Sequence, residues 1–175
     1  MIDNDCAFIA SVNFDLEQIK KEVFKNLNSV PTGLASHQRM VSSSEYLSQL
    51  KTQFPFLSNL YNIYKSPQSF ITPVHIDYHR NCAINIPISN TENSHTVFYK
   101  LLDPIQLRYI PERVYNLVES SMTEIFRFTL TEPTLINTKL PHGVLDSGDQ
   151  HRIIMSWSVN DNYTYNDVKK ILGVK

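Results

Sequence analysis

The run Phe70-Ile71-Thr72-Pro73-Val74-His75-Ile76-Asp77 is the stretch that decides the fold. It is rich in β-branched and aromatic residues, a composition that is typical of a β-strand. In a strand, residues i and i+2 point to the same face. The pattern therefore places His75 and Asp77 side by side, where an imidazole and a carboxylate can share one metal ion.

From residue 69 onward, short apolar runs alternate with turn residues, and only the segment from Pro111 to Ser121 is ambiguous between helix and strand. This spacing predicts an all-β sandwich or barrel rather than alternating βαβ units. The candidate strands are Phe70–Asp77, Cys82–Ile88, His95–Leu101, Gln106–Ile110, Ile125–Leu130, Thr134–Asn137 and Arg152–Val159.

Helical periodicity predicts supporting helices on either side of this β-rich region, the N-terminal ones packed on the sheet. Asp15 and Gln18 form a capping box at the start of the first helix, and a second helix begins at Ser44. We expect an edge strand at Cys6–Phe14, a loop at 28–43 and a strand at Tyr61–Tyr64. We expect a single domain, with a helical support region at 1–60, a β-rich core at 60–160 and a tail helix within 161–175.

The composition excludes several classes of partner. Sixteen basic and seventeen acidic residues give a formal charge of −1, so no overall field favours nucleic acid or a membrane surface. The two cysteines, Cys6 and Cys82, lie far apart in apolar runs, which indicates reduced thiols rather than a disulfide framework. The N-terminus lacks the pattern of a secretory signal, and we expect a soluble, cytoplasmic protein.

A second group of polar residues follows downstream. His142 lies between Pro141 and Gly143, just after a predicted strand, and is our candidate for a third metal ligand. His79 is a weaker alternative ligand. Arg152 opens an apolar strand in which Ser156 shares its face. A guanidinium in such a strand requires a carboxylate, which either a structural ion pair or an anionic ligand would supply.

The order His75-x-Asp77, then His142, then Arg152 resembles the iron(II)- and 2-oxoglutarate-dependent oxygenases, whose fold is a double-stranded β-helix, the jelly roll of the cupins. The flanking run Arg80–Ile88 is similar to the aspartyl/asparaginyl β-hydroxylase branch. That branch commonly has an arginine where this chain has Asn85, so its substrate is not carried over. The resemblance covers roughly residues 60–160, the size of one such core.

The resemblance implies that His75, Asp77 and His142 hold Fe(II), and that Arg152 grips the distal carboxylate of 2-oxoglutarate. With O2, such an enzyme hydroxylates an unactivated C–H and releases succinate and CO2. Three more residues are expected around the co-substrate: Asn85, Ser156 and Tyr64.

Two other functions fit the same fold. One is a cupin-like metalloenzyme that does not use 2-oxoglutarate, and the other is a non-catalytic jelly-roll binding module. For the oxygenase we expect an amino acid, a peptide or a protein side chain as substrate, rather than duplex nucleic acid, and no membrane partner. The sequence does not predict the oligomeric state.

Overall fold

The computed structural model describes residues 4–9, 14–30, 37–41, 44–77, 79–102, 108–110, 114–116 and 122–173. Three α-helices lie within these ranges, α1 (Leu16–Asn26), α2 (Glu45–Gln53) and α3 (Tyr165–Gly173), with a 3₁₀ turn at Leu27–Ser29. The strands are β1 (Ala7–Ile9), β2 (His37–Val41), β3 (Leu57–Ser66), β4 (Ile71–Asp77), β5 (Cys82–Ser89), β6 (Ser94–Leu101), β7 (Arg108–Ile110), β8 (Val114–Asn116), β9 (Met122–Thr129), β10 (Thr134–Asn137), β11 (His142–Asp146) and β12 (Arg152–Val159).

The strands form two six-stranded sheets. The first sheet has the order β1-β10-β5-β12-β3-β2, and the second has the order β7-β8-β4-β11-β6-β9. Every strand pair in the described residues is antiparallel. The two sheets face each other as a jelly roll, which confirms the predicted fold class.

The helices cover the outer face of the first sheet. Asp15 and Ser44 cap α1 and α2, because their side chains accept hydrogen bonds from the backbone N–H groups of Gln18 and Leu47 at 3.1 and 3.2 Å. None of the described helices has the length and apolar character needed to cross a membrane. The core that they close contains the fully buried Ile19, Leu47, Tyr61, Ile84, Ile86 and Trp157.

A second core fills the space between the sheets. Phe98 and Phe128 from the second sheet contact the same cluster as Ala83 and Ile154 from the first. Alternate residues of β5 and β12 therefore serve different cores, as strand geometry requires. This inner core is smaller and is continued by polar side chains, which form the site described below.

Two segments differ from the sequence prediction. Residues 37–41, predicted as loop, form β2, because they pair with the edge of β3. His142, predicted at a turn, opens β11 between β4 and β6. Gly143 suggested a turn, but its role is close packing: a Cβ there would lie 2.9 Å from the Thr72 carbonyl oxygen.

The other predicted strands are present with changed ends where the structure describes them; residues 10–13 of the predicted strand Cys6–Phe14 and residues 106–107 of the predicted strand Gln106–Ile110 lie outside the described ranges. The predicted edge strand at Cys6–Phe14 is the three-residue β1, at the edge of the first sheet. The strand predicted at Ile125–Leu130 is the longer β9, and the strand at Tyr61–Tyr64 is the ten-residue β3. Within the ambiguous segment 111–121, β8 is a strand, and the other residues lie outside the described ranges.

Candidate metal centre

The strand register of the second sheet brings three ligand side chains together. His142 on β11 is the direct antiparallel partner of His75 on β4, and Asp77 follows two residues later on the same face. One ligand atom from each of the three lies within 4.8 Å of the others. The Nε2 of His75 is 3.6 Å from the Oδ1 of Asp77. Two imidazoles and a carboxylate at this separation are suited to hold one metal ion on one side.

Backbone carbonyls fix the orientation of both imidazole rings. The Nδ1 of His75 is 2.8 Å from the carbonyl oxygen of Pro73, and the Nδ1 of His142 is 2.8 Å from that of Leu140. A carbonyl only accepts, so Nδ1 carries the proton in each neutral ring. The Nε2 lone pairs are thereby left for a metal; in metal sites, a hydrogen bond from the other ring nitrogen to a carbonyl orients a ligating histidine in this way.

The charges of the site already suit a cation. Burial alone would raise the pKa of Asp77, but the positive charge of Arg80 and the two histidines outweigh it and lower that pKa to about 2. Burial lowers the pKa of His142 to about 4, with a further contribution from His75. At neutral pH the pair therefore consists of a carboxylate and a neutral imidazole, the protonation states that metal binding requires.

Arg80 is a member of the site that the sequence prediction missed. Its Nε donates a hydrogen bond to the Oδ2 of Asp77, and its Nη1 donates to the Ser156 hydroxyl at 2.8 Å. The guanidinium also interacts with the hydroxyl of Tyr64. Arg80 thus links a ligand on the second sheet to the inner face of the first. Its position three residues after Asp77 was the available signal.

The turn that carries Arg80 is tied to the segment before His142. The Asp77 backbone N–H donates to the Thr138 carbonyl at 3.0 Å, and the Thr138 hydroxyl donates to the Arg80 carbonyl at 2.8 Å. The Lys139 ammonium donates to the Asp77 carbonyl at 3.1 Å. These bonds hold the two ligand-bearing segments in register.

Arg152 lies on the first sheet and is almost completely buried, with 4% of its surface exposed. Its Nε donates to the Ser94 hydroxyl at 2.9 Å. Burial lowers its pKa to about 10, against a smaller opposing effect of Asp146. No acidic group in the described part of the chain forms an ion pair with it within 4.0 Å. The structural ion pair considered from the sequence is therefore not found there.

Three polar residues form a row across the inner face of the first sheet. Ser156 pairs in register with Asn62 on one side and with Asn85 on the other. The amide oxygens of Asn62 and Asn85 are buried, and no group in the described part of the chain forms a hydrogen bond with either. Such groups cost free energy unless a bound molecule satisfies them, which makes the row a candidate binding surface. Asn62 was missed, although it alternates with Tyr64 in β3.

The remaining candidates from the sequence divide into residues on the inner face of the first sheet and residues outside the group of clustered ligands. Asn85, Ser156 and Tyr64 share the inner side of the first sheet with Arg152, and for Ser156 strand alternation predicted the shared face; the contacts of all three with a co-substrate stay predictions. His79 is exposed and is not in the group of clustered ligand atoms. His151 is also exposed, and its Nδ1 is 3.1 Å from the Ser66 carbonyl oxygen.

Comparison with known proteins supports the fold rather than a family. No family model matches the sequence, and no curated protein sequence matches it. Among solved structures, a Pseudomonas putida prolyl-4-hydroxylase is similar over 88% of this chain and 90% of its own, with 12% identity and a TM-score of 0.50. E. coli ycfD is similar over 71% and 33% of the two chains, at 10% identity and a TM-score of 0.43. The likeness to the hydroxylase shows a shared fold.

Proposed function

We propose that this protein is an Fe(II)- and 2-oxoglutarate-dependent dioxygenase that hydroxylates an unactivated C–H bond. Two histidines and an aspartate are the ligand set of non-haem iron oxygenases, and they leave three metal positions open. His75, Asp77 and His142 supply that set: one ligand atom of each lies within 4.8 Å of the others, and each Nδ1 contacts a backbone carbonyl, which leaves Nε2 for a metal. The prolyl-4-hydroxylase neighbour supports the proposal through its fold.

The use of 2-oxoglutarate is supported by the burial of Arg152 and by its few hydrogen-bond partners. It is buried on the sheet opposite the ligands, and the described residues give it a single hydrogen bond and no carboxylate partner. A buried, unpaired guanidinium is costly, and a planar carboxylate offers the paired acceptors that it lacks. In this proposal the distal carboxylate of 2-oxoglutarate binds Arg152, and Ser156 with its two flanking asparagines lies on the same sheet face.

The bound iron would supply O2 activation coupled to the decarboxylation of 2-oxoglutarate to succinate and CO2. The chain's own residues bind and orient. Arg152 holds the distal carboxylate, Arg80 fixes Asp77, and the ring of Phe98, 5.7 Å from that of His142, excludes water from the metal side. Asn62 and Asn85 offer hydrogen bonds to whichever bound molecule covers them.

The test is an anaerobic titration of the Fe(II)-loaded protein with 2-oxoglutarate, followed by calorimetry and by the visible charge-transfer absorption of the complex. We expect saturable binding to the wild type. Arg152→Met should weaken it by about 30-fold or more, since removal of one partner of a buried charge pair costs about 2 kcal/mol or more. Arg39→Met is the matched control, because Arg39 is an exposed arginine on β2 of the same sheet.

Each alternative function has its own outcome in this experiment. Iron binding with 2-oxoglutarate affinity that Arg152→Met does not change would favour the cupin-like metalloenzyme. A wild-type protein that retains no iron, with no difference in His75→Ala, would favour the binding module. In air, with ascorbate, the proposed enzyme should also form succinate slowly without a prime substrate.

We further propose that the prime substrate is an amino acid, a peptide or a protein side chain. The near-zero net charge argues against a polyanionic partner. The P. putida neighbour is, by its name, an enzyme that acts on prolyl groups, which belong to this class. Both cysteines are free and buried, which supports the proposed cytoplasmic location.

A further inference from the structure

Asp77 has two carboxylate oxygens, and the structure gives them different partners. Oδ1 lies 3.6 Å from the Nε2 of His75, which is one of the three candidate ligands. Oδ2 accepts the hydrogen bond from Arg80. A carboxylate oxygen that accepts a charge-assisted hydrogen bond has one lone pair and part of its negative charge engaged, so the other oxygen is the favoured metal ligand.

Arg80 is itself held from several sides, so this hydrogen bond is not a chance contact of a flexible side chain. Its Nη1 donates to Ser156, and its carbonyl accepts from the Thr138 hydroxyl. The side chains of Arg80 and Asp77 are 16% and 12% exposed, and water therefore screens their attraction little. The next residue, Asn81, donates to the carbonyls of Asp161 and Tyr163 at 3.1 and 3.2 Å.

The same kind of pair occurs elsewhere without such support. Arg127 and Glu124 are also three residues apart and paired, on β9, but both side chains are more than 40% exposed. Exposed pairs of this kind contribute little to stability. The Arg127–Glu124 pair is therefore an exposed surface ion pair, whereas in the Arg80–Asp77 pair the carboxylate belongs to the group of candidate metal ligands.

We propose that Arg80 is a positioning residue that makes Asp77 a one-oxygen ligand and so keeps open the metal position that Oδ2 would otherwise fill. The inference rests on the proposed metal site and goes beyond it. A 2-oxoglutarate-dependent reaction needs two positions for the co-substrate and one for O2, which are the three that a facial triad leaves. A carboxylate bound through both oxygens would leave two.

The test is the number of water molecules on bound Mn(II), measured by water-proton relaxation, in the wild type and in Arg80→Met. We expect the variant to bind Mn(II) at least as tightly, because a cation next to the site is removed and a second oxygen is freed. It should carry one water fewer, and 2-oxoglutarate should bind to it about tenfold more weakly. If Arg80 had a purely structural role, Arg80→Met would instead bind Mn(II) more weakly than the wild type.

Two further variants guard against misfolding of Arg80→Met. Ser156→Ala removes the second anchor of the guanidinium while leaving Arg80 in place, and should shift the water count in the same direction by less. Arg80→Lys keeps the charge and should restore part of the wild-type count. Arg127→Met is the control for loss of a paired arginine and should change nothing at the metal.

The outcomes separate this inference from the proposed function. A wild type that binds no Mn(II) would overturn both. A wild type that binds Mn(II) and 2-oxoglutarate, with an unchanged water count in folded Arg80→Met and Ser156→Ala, would overturn the role of Arg80 alone. Loss of Mn(II) affinity in folded Arg80→Met would do the same.

Discussion

The two faces of β3, β5 and β12 are built from alternate residues of the same three strands, yet they differ in almost every respect. The outer face is apolar, with Tyr61, Ile86 and Trp157 in the core under the helices. The inner face carries Asn85 and Ser156, among other polar side chains, and looks toward the metal ligands of the second sheet. A step of one residue along a strand therefore moves from a packed core to the candidate site.

The comparison shows where stability and function reside in this fold. The outer face buries large apolar side chains, each worth a few kcal/mol, and has no role in the site. Among the described residues, the two amide oxygens of this inner face have no hydrogen-bond partner and the guanidinium of Arg152 has no carboxylate within 4.0 Å, which all cost stability. Such costs are expected where a surface is shaped for a ligand.

The largest effect is expected on the outer face. Trp157 is completely buried, and its indole N–H donates to the Ser58 carbonyl at 2.9 Å. Trp157→Ala should lower the free energy of unfolding by about 3–5 kcal/mol in urea denaturation, through lost burial and a cavity. Mn(II) affinity of the fraction that stays folded should not change. Phe24→Ala, at a half-exposed position on α1, should cost far less.

Alkaline pH should also lower the stability of the protein, through two buried acidic groups on the outer face. Burial raises the pKa of the Cys82 thiol from 9.0 to about 12, and that of the Tyr61 hydroxyl from 10.0 to about 12. The unfolded chain loses these protons first, so the folded state binds more protons between pH 9 and pH 12. Stability must therefore fall as the pH rises through this window.

The measurement is the free energy of unfolding in urea at a series of pH values. Cys82→Ala should reduce the slope above pH 9, because it removes one of the two buried acids. An identical slope in this variant would show that the thiol is not buried in the native state.

The smallest effect should have the opposite sign. Asn85→Leu keeps the branching of the side chain but removes an unpaired buried amide oxygen, and should raise the free energy of unfolding by about 1 kcal/mol. The same change should weaken ligand binding to the inner face. Asn81→Leu is a control that should destabilise, because the amide of Asn81 donates two hydrogen bonds. Destabilisation by Asn85→Leu would mean that the amide has a partner in the native protein.

Much of this arrangement could be predicted from local pattern. Alternation within Arg152–Val159 places Arg152 and Ser156 on one face, and alternation within Cys82–Ile88 places Asn85 opposite the isoleucines of its strand. The pairing of His75 with Asp77 on one face required only that this segment form a strand. The local sequence was enough to select His142 as a ligand candidate. Its position directly opposite His75 could not be predicted, because strand pairing is a long-range property.

The residues that were missed depend on such long-range contacts. The guanidinium of Arg80 is held by a hydrogen bond to Ser156, which is 76 positions away along the chain. Asn62 lies in a strand whose neighbour β12 begins only at Arg152, and its unpaired amide is evident only when the two strands are side by side. β2 was read as loop because its strand character comes from pairing with β3.

The most direct test of the account is a crystal structure of the protein with Mn(II) and 2-oxoglutarate, prepared without O2. We expect Mn(II) to contact the Nε2 atoms of His75 and His142 and the Oδ1 of Asp77. The distal carboxylate of 2-oxoglutarate should lie on the guanidinium of Arg152. Metal bound elsewhere, or a dicarboxylate that leaves Arg152 untouched, would contradict the proposed site.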